Sequence, residues 1–436
     1  MAQDATDVRT LLDEAPMGRV QIAAIALCVL LNALDGFDVL AISFASPGIA
    51  AEWGVERAAL GLVLSMELIG MAVGSMAIGR LADRVGRRPS ILLCLVVMAA
   101  GMLLATQAVS VVTLSLIRLC TGLGIGGMLA CTNAMVAELA NARSRNLAVT
   151  IMAAGYPVGA VLGGSIASML LVSGGWRDVF LFGGVATALV LPLAWAILPE
   201  SIGFLLEKRP AGVLDKVNRT LARMGHATVA ALPAPGVAAR AGFASLLQGG
   251  LARVTLLLTA SYFMHIMTFY FILKWTPKIV VDMGYAPSAA GGVLVWTNVG
   301  GLLGSLLLGA LSWRMNIRSL VIGAMLASTV MIALFGRAES TTLPGLSLIA
   351  AIAGFCTNAA VVGLYAIIAQ SFPTTLRATG TGIVIGVGRG GAALGPIIAG
   401  LLFSLNFGLQ GVAIGMAAGS AIAALALVAL RDRSAG

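Results

Sequence analysis

Apolar runs of roughly 20 residues recur from one end of this chain to the other, and each is long enough to cross about 30 Å of hydrocarbon. Placed by hydropathy, helices are expected at roughly 20–49, 57–79, 90–110, 112–137, 147–172 and 178–198. After a polar stretch, six more follow near 252–282, 287–311, 317–336, 343–370, 377–405 and 409–430. Only 10% of the residues are charged, where a soluble domain carries about 25%. The chain therefore reads as an all-α membrane protein of twelve transmembrane helices, with little but its loops to offer water. The first 20 residues hold Asp4, Asp7, Asp13 and Glu14 instead of a basic lead into an apolar core, so no cleavable signal is expected.

An even number of spans puts both termini on one side. Of the 27 lysines and arginines, Arg57, Arg177, Lys278 and Arg337 fall on the opposite side and Arg118, Lys274 and Arg389 inside the membrane; the rest share the side of the termini. That bias predicts cytoplasmic termini and a cytoplasmic central loop. It also accounts for the net charge of +9 without nucleic acid. The loop at 199–251, with Glu207, Lys208, Arg209, Lys216, Arg219, Arg223, Pro233, Pro235 and Arg240, reads as a linker with a short surface helix at 212–224. The expected organisation is a segment 1–19, a bundle 20–198, the linker 199–251, a second bundle 252–430 and a tail 431–436.

An internal repeat supports that division. At an offset of 230, Pro47, Gly54, Gly70, Gly74, Ser75, Gly79, Leu81, Arg84 and Arg88 fall on Pro277, Gly284, Gly300, Gly304, Ser305, Gly309, Leu311, Arg314 and Arg318. At 232, Arg145, Gly159, Ala160, Leu162, Gly163 and Ile166 fall on Arg377, Gly391, Ala392, Leu394, Gly395 and Ile398. A duplicated six-helix unit is the architecture of alternating-access carriers. Gly70 with Gly74, and Gly300 with Gly304, form small-residue stripes suited to close helix crossing. The glycines and prolines at 155–164 and 386–396 offer close packing and places to bend.

Ionisable residues at membrane depth are costly and point to function. Asp35 and Asp38 share one helix face, and two carboxylates so close in low dielectric should not both stay ionised; they are the candidate proton carriers, with Glu67. The competing reading of Asn32–Asp38 is a helix break whose side chains cap the backbone. Arg118 and Arg389 are permanently charged and suit a carboxylate, whether of a substrate or of Asp35, Asp38 or Glu67. Lys274, beside Trp275, is a candidate substrate contact or a snorkelling lysine. His265, aligned with Asp35 in the repeat, is a candidate binding residue or a hydrogen-bonded core histidine. Phe37, Phe44, Tyr262, Phe263, Phe269, Tyr270, Phe271 and Trp296 offer flat walls or interfacial anchors. Cys28, Cys94, Cys120, Cys131 and Cys356 lie in apolar segments and read as small hydrophobes. No cofactor or metal is expected, since neither a ligand spacing nor a phosphate loop is present.

The stretch Gly79-Arg-Leu-Ala-Asp83-Arg84-Val-Gly86-Arg87-Arg88-Pro89 closely resembles the loop between helices two and three of the major facilitator superfamily. Glu138 with Arg143 and Arg145 is similar to the charged cluster after helix four. Within the superfamily, Asp35-Gly36-Phe37-Asp38 with Pro47 resembles helix one of the aromatic acid:proton symporters. Arg118-Leu-Cys-Thr-Gly122-Leu-Gly124-Ile-Gly126 resembles their fourth helix, and Arg377 with Gly388-Arg389-Gly-Gly-Ala-Ala-Leu-Gly395-Pro396 their eleventh. The resemblance spans nearly the whole chain and implies the two-bundle facilitator fold and inward transport of an aromatic carboxylate with protons across a bacterial inner membrane.

On that reading Asp35 and Asp38 couple protons, with Glu67 beside them. Arg118 and Arg389 hold the anion, with His265, Lys274, Phe37, Tyr262 and Tyr270. Gly79 permits tight packing, and Asp83, Arg84, Arg87, Arg88, Glu138, Arg145 and Arg377 form a latch that breaks on inward opening. Glu67, His265 and Lys274 are not general to the family. A carrier of aliphatic mono- or dicarboxylates is the main alternative. A proton-linked drug exporter is disfavoured by the buried arginines, and an enzyme by the lack of a catalytic constellation. The expected partners are a small organic anion, protons and lipid, with the chain a monomer.

Overall fold

A computed structural model describes residues 8–232, 246, 248–338, 341–373 and 376–430. Asp4, Asp7, Pro233, Pro235, Arg240 and the expected tail 431–436 lie outside the described residues. Among the described residues, twelve helices are long and apolar enough to span a membrane. In the first half these are α2 (Arg19–Trp53), α3 (Arg57–Val85), α4 (Arg87–Ala105), α5 (Val111–Leu139), α6 (Arg145–Ser173) and α7 (Trp176–Ile197). A short α1 (Val8–Glu14) precedes them, and α8 (Ile202–Lys208) and α9 (Val213–Met224) lie in the linker. The second half holds α10 (Gly249–Asp282), α11 (Pro287–Leu311), α12 (Ile317–Phe335), α13 (Leu343–Ser371), α14 (Arg377–Ser404) and α15 (Leu409–Val428).

α2 and α6 run through prolines because the freed carbonyls find other donors. Pro47 cannot donate to the Ser43 carbonyl, and Ser46 Oγ does so instead at 2.9 Å. Pro157 leaves the Ala153 carbonyl free, and Asn32 Nδ2 bridges from α2 to Met152 O at 2.6 Å and to Ala153 O at 3.5 Å. α2 is thus continuous through Asn32–Asp38, and the helix break considered there is not formed. The third span begins earlier than hydropathy suggests, at Arg87, because Gly86 turns the chain with φ 113°.

The two halves repeat one crossing. A Cβ at Gly70 would overlap the Leu119 carbonyl and one at Gly122 the Glu67 carbonyl, so α3 and α5 cross in backbone contact. Gly300 against Ala351 and Gly354 against Thr297 do the same for α11 and α13. The stripes therefore act as small-residue crossings. Gly79 does not: a Cβ there, or at Gly309, would meet nothing within 4 Å. Both lie where α3 and α11 approach the face of the N-terminus, beyond the crossings.

The halves meet chiefly through α3 with α14, α6 with α11 and α2 with α10. These seams are tight at the face opposite the N-terminus. Gly61 packs on Pro396 and Gly400, Gly164 on Val295, and Arg57 pairs with Asp282 at 3.2 Å.

Substituting Gly122→Val should lower stability by about 1–3 kcal/mol through overpacking, read as a fall in melting temperature in detergent. Gly79→Ala should melt like the wild type. A tolerated Gly122→Val would contradict the crossing.

Candidate functional site

Three helices of the first half converge on one guanidinium. Arg118 of α5 is fully buried, and the Gly122 crossing one turn later brings it against Glu67 of α3. Its Nη2 donates to Glu67 Oε2 at 2.5 Å and to the Asp38 carbonyl at 2.9 Å, and its Nη1 donates to Asp38 Oδ1 at 3.1 Å. The Phe180 ring lies 5.4 Å from the guanidinium carbon, a cation–π distance. A second cation arrives from the other half: Lys274 of α10 donates to the Val39 carbonyl and sits 3.8 Å from Glu67 Oε2. Lys274 is buried, and so is Trp275, whose indole donates to Pro396 O at 3.1 Å. Lys274 therefore does not snorkel to an interface.

Two carboxylates and two cations thus share one buried cluster. A guanidinium alone at this depth would be prohibitive, and its acceptors offset that cost. Asp35, one turn before Asp38, stands outside the cluster. Both its carboxyl oxygens are buried without a hydrogen-bond partner. Kept ionised there, it would cost several kcal/mol, roughly the penalty of any unpaired buried ion.

Among the described residues, the second half keeps one membrane-depth cation unclaimed. Arg389 of α14 is half-buried, and its Nη1 is buried with no hydrogen-bond partner. Tyr262 and Tyr270 lie within its electrostatic reach. Tyr262 bonds Tyr365 hydroxyl to hydroxyl at 3.1 Å, and Tyr365 is 40% exposed. From the first half, Tyr156 lies beside Tyr270, its hydroxyl buried without a hydrogen bond of good geometry. The chain has five tyrosines, and four of them gather here. Tyr156 and Tyr365 escaped the sequence reading. Tyrosine scarcity was the available signal, since a rare polar aromatic in a span is more informative than another phenylalanine.

Two other candidates lie elsewhere. His265 is buried within the second half, its Nδ1 2.9 Å from Ser420 Oγ and its Nε2 2.9 Å from the Thr357 carbonyl. Ser328 donates to Ser420 at 3.0 Å, so Ser420 donates to Nδ1 and Nε2 donates to the carbonyl. A neutral imidazole satisfies the whole chain of bonds. Phe37 packs edge-on to Phe182 and against Gly163 and Gly183 inside the first half.

The candidate latch residues form a web at the face of the N-terminus. Arg87 pairs with Asp83 at 2.5 Å and lies 3.6 Å from Glu138, which accepts from Ser201. The backbone amides of Arg87 and Arg88 donate to Glu200 at 2.9 and 3.3 Å, and Arg88 donates to Trp195 O at 2.7 Å. Arg145 pairs with Asp13 and donates to Ala137 O. These bonds tie first-half helices to one another, to α1 and to the linker. Arg84 lies in the last turn of α3, and Arg377 stands exposed at the start of α14, in the other half.

Arg118→Leu leaves Asp38 and Glu67 without their shared donor and should cost about 3–5 kcal/mol, seen as a lower melting temperature. Asp35→Asn removes no bond and should stay within about 1 kcal/mol of wild type. The reverse ranking would contradict the pairing described.

The family model described as Major Facilitator Superfamily matches residues 28–297 and 255–436. A gallate transporter of Pseudomonas putida is 32% identical, covering 92% of this chain and 90% of its own length. The 4-hydroxybenzoate transporter PcaK of Pseudomonas putida is 31% identical over 97% and 95%. The 3-(3-hydroxy-phenyl)propionate transporter of Escherichia coli is 31% identical over 94% of each chain. Among solved structures, a D-xylose–proton symporter matches with a TM-score of 0.73 at 17% identity, covering 93% of this chain and 96% of that one. An inward-open xylose transporter XylE of E. coli matches with a TM-score of 0.72 at 17% identity, covering 94% and 95%; both speak to fold alone. The chain is a multi-pass membrane protein that belongs to the major facilitator superfamily, in the family of the aromatic acid:proton symporters.

Proposed function

We propose that the chain takes up an aromatic carboxylate together with protons across the bacterial inner membrane by alternating access. The observation that carries this reading is Arg389, a permanent cation at membrane depth with a buried, unpartnered Nη1 among four tyrosines. Such a group suits a carboxylate, and phenol rings suit a flat ring beside it. The relatives named for gallate, 4-hydroxybenzoate and hydroxyphenylpropionate support the same class.

On this reading Arg389 binds the anion, with Tyr262 and Tyr270 from the original candidates and Tyr156 and Tyr365 joining them. Asp35 carries the proton, because its unpartnered carboxyl is tolerable at that depth only when neutral. Arg118 is held by Asp38 and Glu67 and shapes the site from behind, while His265 and Phe37 belong to the framework. The bundles 20–198 and 252–430 rock about the site, joined by the linker 199–251. With both termini cytoplasmic, the tight seam at Arg57–Asp282 closes the outer side, and Asp83, Arg84, Arg87, Arg88, Glu138, Arg145 and Arg377 govern the inner one. The unit is a monomer and needs no cofactor.

Vesicles holding the protein should accumulate labelled 4-hydroxybenzoate when the outside is made acidic and lose that accumulation with a protonophore. Benzoate and gallate should compete, and succinate should not. Asp35→Asn should abolish accumulation, a fall of more than about tenfold. Uptake indifferent to the pH gradient, or blocked by succinate and not by benzoate, would overturn the reading.

A further inference from the structure

Lys274 is placed where an ammonium is hardest to keep. It is fully buried, its stem belongs to the second half, and both the Val39 carbonyl it donates to and the Glu67 carboxylate 3.8 Å away belong to the first. The first-half ions around it are Asp38, Glu67 and Arg118. Taken alone they sum to one negative charge. Outside this cluster, Asp35 without its proton and Arg389 without its anion offset one another in the unloaded carrier, and the nearby Tyr156 and Tyr270 hydroxyls add no charge. With Lys274 the cluster sums to zero.

An anion:proton carrier must also cross its cycle unloaded, and a net buried charge opposes that step. We propose that Lys274 is a tethered cation that neutralises the first-half cluster during the return of the unloaded carrier, with Glu67, shared with Arg118, as the carboxylate whose charge it offsets. This rests on the reading of the chain as an aromatic-anion:proton carrier. Lys274 is then a positioning residue for the return step and has no contact with substrate. Its role separates two activities that share every other step: net uptake requires the unloaded return, and exchange of internal for external substrate does not.

The test uses the full chain in proteoliposomes, with labelled 4-hydroxybenzoate as the probe. Net uptake under a pH gradient is compared with exchange against unlabelled internal 4-hydroxybenzoate. For Lys274→Gln, net uptake should fall by at least about tenfold while exchange stays within about twofold of wild type. Lys274→Gln combined with Glu67→Gln restores neutrality and should recover net uptake to within about threefold of wild type. Lys274→Arg keeps the charge and should retain net uptake; it and the double variant carry the test if Lys274→Gln does not fold. Exchange and net uptake falling together in Lys274→Gln, or a double variant as deficient in net uptake as Lys274→Gln alone, would overturn the proposal. Absence of both activities in the wild type would instead overturn the underlying reading, so the two failures are distinguishable.

Discussion

Arg118 is a guanidinium held where no water can solvate it, and the first half is arranged to make that possible. Asp38 supplies a carboxylate and its own main-chain oxygen, and Glu67 supplies the shortest contact. Those acceptors arrive on separate helices. Their convergence depends on α3 and α5 touching at Gly70 and Gly122, where any side chain would force the backbones apart. The continuity of α2 through Pro47, maintained by Ser46, carries the Asp38 turn through the same depth. Breaking one partner of such a cluster strands the other, so the cluster fixes helix positions more than it adds stability.

The duplication repeats the scaffold and leaves the charges unrepeated. The positions matching Asp35, Asp38, Glu67 and Arg118 in the second half are His265, Thr268, Thr297 and Ala350. None of these needs a counter-ion: His265 is satisfied as a neutral ring, and Thr268 and Thr297 donate to nearby carbonyls. The second half instead brings Lys274 across the interface and keeps Arg389 unclaimed. A symmetric hinge thus carries an asymmetric electrostatic load, with the internal pairing on one side and the free cation on the other.

Much of this was legible in the residues. Span number, the repeat and the glycine crossings follow from hydropathy and from spacings that any bilayer helix pair must respect. The list of buried ions was also legible, because charge in a span is rare enough to count. The pairing was not. Arg118 and Arg389 look alike in sequence, each an arginine at membrane depth in a Gly-rich helix, and which one is consumed by internal carboxylates depends on helix rotation. The same uncertainty hid Tyr156 and Tyr365, and it left His265 and Phe37 among the site candidates although both turn into their own bundles. Gly79 was read as a packing residue from its motif, yet it faces open space because it lies beyond the crossing that Gly70 makes.

On the proposed reading the two membrane-depth arginines have different tasks: Arg118 is paired with two carboxylates of the protein, and Arg389, paired with none, is left for an anion. Equilibrium binding of 4-hydroxybenzoate to the purified protein tests this directly, with melting temperature followed in parallel. Arg389→Gln should weaken binding by more than about tenfold, the loss of one charge-assisted bidentate contact, with its melting temperature unchanged. Binding that survives Arg389→Gln at wild-type strength would contradict the account.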